Sequence, residues 1–219
     1  MVGMIVTAHQ PNYLPGLSVT EKVRVADVCI WLDDVQFSKG GWTNRNRLCD
    51  GVYLTVPVDR STLGGPISGV RVCDATAWRF KHEETLGQRF GWNETARLRS
   101  AICGGPDSER LVRLNWRCLR ILFPLVGIRT AHVWQSTLDS GLTLQAESDD
   151  PSELAPISER LAAMVAEVGG RTYLSGPSGR DYLDEEPFRR RGVEVVYFRY
   201  DGPLHSCVEE AFSREAIAA

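Results

Sequence analysis

The 219-residue chain is 43% hydrophobic and 24% charged with a formal net charge of −3, a composition that suits a globular protein able to bury a substantial core. This balance leaves no basic footprint for nucleic acid or anionic lipid, and no stretch approaches the roughly 18 apolar residues of a membrane span. The apolar run after Met1 is short and is broken by His9 and Pro11, unlike a signal peptide. Six scattered cysteines with no C-x-x-C pair fit reduced thiols, so the expected location is the cytoplasm and no structural zinc is expected.

Residues 4–8 form an apolar run that ends abruptly in His9, Gln10, Asn12 and Tyr13, set between Pro11 and Pro15. The pattern predicts a buried strand entering a polar loop. Residues 18–26 read as a short helix with Ser18 as N-cap, and the near-continuous apolar run 27–32 reads as a strand buried on both faces. Strand, helix and strand in about thirty residues make a βαβ unit, whose crossover sets the two strands parallel. Their carboxyl ends then share one edge of the sheet, with His9, Gln10 and Asn12 facing Asp33, Asp34 and Gln36 across a crevice where ligands bind in open α/β sheets.

A polar, glycine-bearing loop over 38–46 leads to a β-hairpin around Asp50-Gly51. With a turn at Gly64-Gly65-Pro66 and a strand at 67–72, it reads as a β-element inserted at about 44–73. Helices follow at 76–90 and 108–126, the second capped by Ser108, dipole-matched by Glu109 and ended or kinked by Pro124. A strand at 128–135 and an acidic surface loop over 138–151 precede a helix at 152–168 that stops at Gly169-Gly170. The chain continues as a strand at 172–175, the turn Gly176-Pro177-Ser178-Gly179, a helix at 180–191 and a strand at 193–200. The Arg189–Arg191 run reads as a solvated face neutralised by nearby acids. The expected architecture is a Rossmann-like, mainly parallel α/β sheet flanked by helices. It forms one domain over 1–200, with a C-terminal tail at 201–219.

The sharpest chemical candidate is His9, an imidazole that titrates near neutrality, with Asp33 or Asp34 to fix its tautomer; a hydrogen bond that merely holds the loop is the alternative. Adjacent carboxylates on an extended strand point apart, which disfavours a shared cation, so neither metal nor cofactor is expected. Candidate substrate-binding residues are Gln10, Asn12, Tyr13, Gln36, Trp42, Asn44, Arg45, Asn46, Lys81 and His82, together with Ser175, Gly176, Ser178 and Gly179. Arg45 offers a planar fork for a carboxylate or phosphate, although Asn44 and Asn46 equally suit loop capping. Trp42 is the aromatic placed to cover a ligand, and His82 equally suits packing. The strand–turn–helix at Gly176–Gly179 is an anion-binding arrangement or a plain connection. No nucleophile elbow or Cys-His block is present.

The blocks H-Q-P-N-Y-L-P at His9–Pro15, A-D-V-x-I-x-L-D-D-V-Q-F-S-K at Ala26–Lys39, N-R-N-R at Asn44–Arg47 and Y-L-S-G-P-S-G-x-D-Y-L-D at Tyr173–Asp184 resemble the WbqC-like family of bacterial proteins. The chain departs from the family pattern at Gly16-Leu-Ser and after Tyr200. The resemblance implies biosynthesis of surface polysaccharide or a specialised metabolite. It makes plausible an amide-forming acyl or aminoacyl transfer from a thioester, carried by an acyl or peptidyl carrier protein, to an amine acceptor such as an amino sugar. His9 is then the general base. A nucleotide-binding, nucleotidyl-transfer type of enzyme and a non-catalytic sugar- or carrier-protein-binding module remain the alternatives.

Overall fold

A computed structural model describes residues 3–73, 76–106, 109–140 and 151–212, with side chains from 157 onward in the helix that begins at Pro151. The expected cap Ser108 and most of the acidic 138–151 loop lie outside these residues. In chain order the elements are β1 (Ile5–His9), α1 (Leu17–Arg24), β2 (Val28–Trp31), β3 (Arg45–Arg47), β4 (Tyr53–Thr55), α2 (Ala77–Phe90) and α3 (Ala96–Cys103). Then come α4 (Leu111–Leu125), β5 (Ala131–Trp134), α5 (Pro151–Glu167), β6 (Thr172–Ser175), α6 (Glu186–Arg190), β7 (Glu194–Tyr197) and α7 (Val208–Ala211). The elements group into two compact units whose segments interleave along the chain.

The first unit comprises residues 1–10, 21–36 and 130–201. Its five strands are all parallel, in the order β5-β2-β1-β6-β7. β1 and β2 pair from Val6↔Val28 to His9↔Trp31, the βαβ arrangement expected from sequence. The chain builds outward from β1 through β2 to β5, then returns to the other side of β1 for β6 and β7. Strand order therefore reverses at the β1–β6 seam. Val6 and Ala8 of β1 and Val28 and Ile30 of β2 pack with Leu161, Met164 and Val165 of α5, and with Phe188. Apart from Ala8, each such side chain contributes ~1.5–3 kcal/mol when fully buried. Because side chains alternate along a strand, Thr7, His9, Cys29 and Trp31 project from the opposite face. α5 stops as expected: Gly169 takes φ +83 and the Gly170 amide donates to the Val165 carbonyl at 2.8 Å. A Cβ on Gly170 would lie 2.7 Å from both Val165 and Val6, so only glycine permits this approach.

The expected helix over 180–191 is two pieces. A 3-10 turn spans Pro177–Asp181, and α6 starts afresh at Glu186, whose amide donates to the Asp184 carboxylate at 3.0 Å. Pro187 then occupies the first turn, where its missing N–H costs nothing. The arginine run is neutralised as expected, by Glu186 and by Glu159, which accepts from Arg190 and Arg191.

The second unit comprises residues 11–20, 37–129 and 202–219. β3 and β4 form the expected antiparallel hairpin, with Asn46 opposite Leu54 and Gly51 at φ +89 in the turn. The strand expected at 67–72 is instead a 3-10 turn at Ile67–Gly69, followed by single bridges at Arg71 and Val72. The Gly69 amide closes back on the Pro66 carbonyl at 2.9 Å, which ends extended pairing before it starts. α3 has no counterpart in the sequence reading; it buries only Leu98 and Ile102 between polar residues. α4 buries Leu111, Leu114, Leu119, Leu122 and Phe123 as expected, with Pro124 in its last turn. Glu109 does not act as an exposed dipole partner: it is buried, accepting from Arg79 at 3.0 Å and from Arg117 at 2.5 Å. Ser18 is not a cap, because α1 begins at Leu17 and the Gly16 carbonyl accepts from Val19 and Thr20. The stretch read as a tail is tied in as far as Phe212: His205 accepts from the Leu17 amide, and Ser206 and Cys207 donate to Arg47 and Pro15 carbonyls.

Candidate functional site

The sequence-derived candidates divide between the two units. The first holds His9, Gln10, Asp33, Asp34, Gln36, Ser175, Gly176, Ser178 and Gly179; the second holds Asn12, Tyr13, Trp42, Asn44, Arg45, Asn46, Lys81 and His82.

In the first unit, His9 is the last residue of the central strand, at the carboxyl edge beside the seam where strand order reverses. Ligands of open parallel sheets bind in that position. The register sets His9 beside Trp31, and Trp31 beside Trp134, so an imidazole and two indoles form one row across β1, β2 and β5. Burial, and then the positive charge of Lys22, push the His9 imidazole well below its ordinary range. It is therefore neutral at physiological pH.

Asp33 is buried, and its carboxylate accepts from the Ser136 amide at 3.0 Å and the Ser136 hydroxyl at 2.7 Å. It thereby ties the end of β2 to the turn after β5. Asp34 is half-buried and Gln36 exposed. Ser175 ends β6 in the row of Tyr173, on the α5 face and so opposite to His9, and its hydroxyl donates to the Gly176 carbonyl at 3.2 Å. The Gly179 amide is spent on the Gly176 carbonyl at 3.0 Å. The turn leads into the 3-10 turn at Pro177–Asp181 and not directly into an α-helix.

In the second unit the Pro11–Pro15 loop is held from several sides. Buried Asn115 donates from Nδ2 to the Pro11 and Thr43 carbonyls at 2.5 and 2.8 Å, and the Tyr13 amide also reaches Thr43. Leu14 takes φ +45, a left-handed conformation rare for a branched residue. Its carbonyl accepts from Asn46 Nδ2 and from Ser206 Oγ. Asn44 Nδ2 donates to the Val56 carbonyl at 2.8 Å. The Tyr13 hydroxyl meets His82 Nδ1 at 3.0 Å, and Trp78 lies edge-on to the same imidazole. Burial, then the neighbouring Lys81 charge, lowers His82 to about 4, and burial raises the Tyr13 phenol. Both groups are therefore neutral, and the imidazole tautomer sets which of the two donates. Asn44, Asn46, Tyr13 and His82 thus spend these groups on the fold of this unit. Asn12 is buried, and Lys81 is exposed on α2. Trp42 is 48% exposed and parallel to Tyr53 at 6.4 Å, with the Arg45 guanidinium 5.7 and 5.6 Å from the two rings.

Burial raises the Cys29 and Cys118 thiols to about 12 and Cys103 to about 11, which disfavours the reactive thiolate at these positions. Among the described residues no three His, Cys, Asp or Glu side chains converge to hold a metal ion, and no helix is long and apolar enough to cross a membrane. Sequence reasoning missed two residues, Asn115 and Lys22. Lys22 was legible in principle, because it shares the helical stripe of Val19, Val23 and Ala26, where a lysine is out of place.

The model of the WbqC-like protein family matches residues 10–216. The chain belongs to the WbqC-like family. The WbqC-like match runs through both units and takes in the described C-terminal segment to Phe212. An uncharacterized protein of Mycobacterium tuberculosis (strain ATCC 25618 / H37Rv), Rv1507c, is 30% identical over 202 residues, covering 88% of this chain and 81% of the relative. No solved structure matches the chain.

Proposed function

We propose that this WbqC-like chain is a biosynthetic transferase that forms an amide by moving an acyl or aminoacyl group from a thioester to an amine, with His9 as general base. The observation that carries the reading is a neutral imidazole at the end of the central strand, beside the seam where strand order reverses. The amine nitrogen adds to the thioester carbonyl while His9 takes its proton. The C–S bond then breaks, and the proton leaves with the thiol, so that acyl thioester and amine become amide and free thiol. The raised thiols favour direct attack by the amine over a cysteine acyl-enzyme.

Intact-mass screening of thioester donors against amine acceptors tests this reading, including donors loaded on a carrier protein. A wild-type amide product, reduced at least about 100-fold in His9→Gln with an unchanged melting curve, is the expected result. Full turnover by His9→Gln would overturn the role of His9. The strand order favours a second reading, a nucleotide-binding enzyme. A saturable rise in melting temperature with ATP or a nucleotide sugar, without amide formation from any donor, selects that reading instead.

A further inference from the structure

The proposed reaction leaves one buried cation beside His9 unused. Lys22 is 5% exposed and its ammonium donates to the Ala8 carbonyl at 3.0 Å. Among the described residues that carbonyl is its one hydrogen-bond acceptor, and no carboxylate forms an ion pair with it. An ammonium has three donors, and buried charges are ordinarily paired.

Strand geometry gives its position. The Leu32 amide donates to the His9 carbonyl at 2.9 Å, so that carbonyl points toward β2. Carbonyls alternate in direction along a strand, and the Ala8 carbonyl consequently points toward β6. Pairing between β1 and β6 ends at Thr7↔Leu174, one residue earlier. The Lys22 ammonium therefore occupies the place where β6 stops pairing with β1, the point at which strand order reverses. It also shares a face with His9. Val6 and Ala8 pack toward α5, so His9 and Cys29 project the other way, and the Lys22 charge acts on both.

We propose that Lys22 is the anion-binding residue of this site, holding a carboxylate or phosphate oxygen of the substrate at the β1–β6 seam beside His9. The inference rests on the site assigned above and not on the identity of the transferred group. Fixed positive charge with spare donors, at the carboxyl edge of a parallel sheet and screened from water, is what binds an anion in preference to bulk solvent. An anion seated there also offsets the Lys22 charge, which after burial is the second cause holding His9 unprotonated, so the base strengthens as substrate arrives.

The chain has three lysines, Lys22, Lys39 and Lys81, so lysine labelled at the ε-carbon and ζ-nitrogen resolves each one by NMR. Inorganic phosphate and acetate, added separately at constant ionic strength, are the probes. The expected result is a saturable shift of the Lys22 resonances with one of them, while exposed Lys39 drifts without saturating. Saturation by phosphate alone identifies a phosphate-bearing ligand, and by acetate alone a carboxylate. Lys22→Met then lowers affinity for that anion at least about tenfold. Lys22 resonances that follow Lys39 with both anions overturn the inference, as does undiminished affinity in Lys22→Met. Saturable binding at Lys22 in a protein that transfers no acyl group supports the anion site and defeats only the amide-forming reading. Amide formation with Lys22 indifferent to both anions does the reverse.

Discussion

Replacing Lys22 by methionine is expected to stabilise the protein at neutral pH while impairing its site. Burial lowers the Lys22 ammonium from 10.5 to about 8, with only the Cys29 sulfur opposing the change. At 1.36 kcal/mol per pH unit, that lowering amounts to about 3 kcal/mol of destabilisation from the buried charge. Below about pH 8 the lysine is protonated both folded and unfolded, so the whole cost is present. Between about pH 8 and 10.5 the folded side chain loses its proton first. The unfolded state then binds more protons, and wild-type stability rises with pH. Methionine has nearly the same length and no charge to bury, but it leaves the Ala8 carbonyl without its donor, a loss of about 1 kcal/mol. Lys22→Met should accordingly be about 2 kcal/mol more stable than wild type near pH 7 and about 1 kcal/mol less stable above pH 10.5. Cys29, raised to about 12, stays protonated through most of the window. Urea denaturation of both proteins across this pH range measures the difference directly, because titrations common to both cancel. A difference that stays constant with pH would refute the reasoning, and so would a variant that is less stable at pH 7.

The same variant should raise the His9 pKa, since one of the two causes holding it down is removed. Burial remains, so the value stays below the ordinary 6.5, as a proton NMR titration of the imidazole would show. Asn115→Ala removes the hydrogen bonds to Pro11 and Thr43, leaving the Thr43 carbonyl with the Tyr13 amide alone and the Pro11 carbonyl without this donor, at a cost of about 2–4 kcal/mol in urea denaturation. Glu109→Gln breaks a buried carboxylate away from Arg79 and Arg117 and should cost about 3–5 kcal/mol by the same measurement. Tyr13→Phe leaves His82 Nδ1 buried without its hydrogen-bond partner, which predicts a loss of about 1–3 kcal/mol with the His82 titration still far below neutrality.

The parallel core could be read from the chain because its signals are local. Two apolar runs flanking a short helix permit one crossover hand, and the Gly169-Gly170 stop and the Asp50-Gly51 turn act through their own backbone. What escaped reading depends on contacts distant in sequence. Asn115 lies mid-helix, and only the fold brings it to Pro11, 104 residues away. Glu109 looks like a helix-start charge until Arg79 and Arg117 enclose it. The polar density of His9–Pro15 suggested one function, whereas the two ends of that stretch belong to different units. His9 ends a strand at a sheet edge, and Tyr13 and Leu14 are bound into a core by Asn46, His82 and Ser206. A short polar motif does not reveal such a division, because a buried, satisfied amide and a substrate-binding amide have the same letter.

The β1–β6 seam also has a bearing on how the protein is made. Thr7 and the Leu174 carbonyl it bonds are 167 residues apart, whereas β1 and β2 are joined by one short crossover. During synthesis one side of β1 therefore stays unpaired until β6 has emerged, an open strand edge of the kind that recruits other chains. Closing so long a loop is entropically expensive and slow. The seam beside which His9 and Lys22 lie is thus assembled late, and a nascent chain acquires its site only as its sheet is completed.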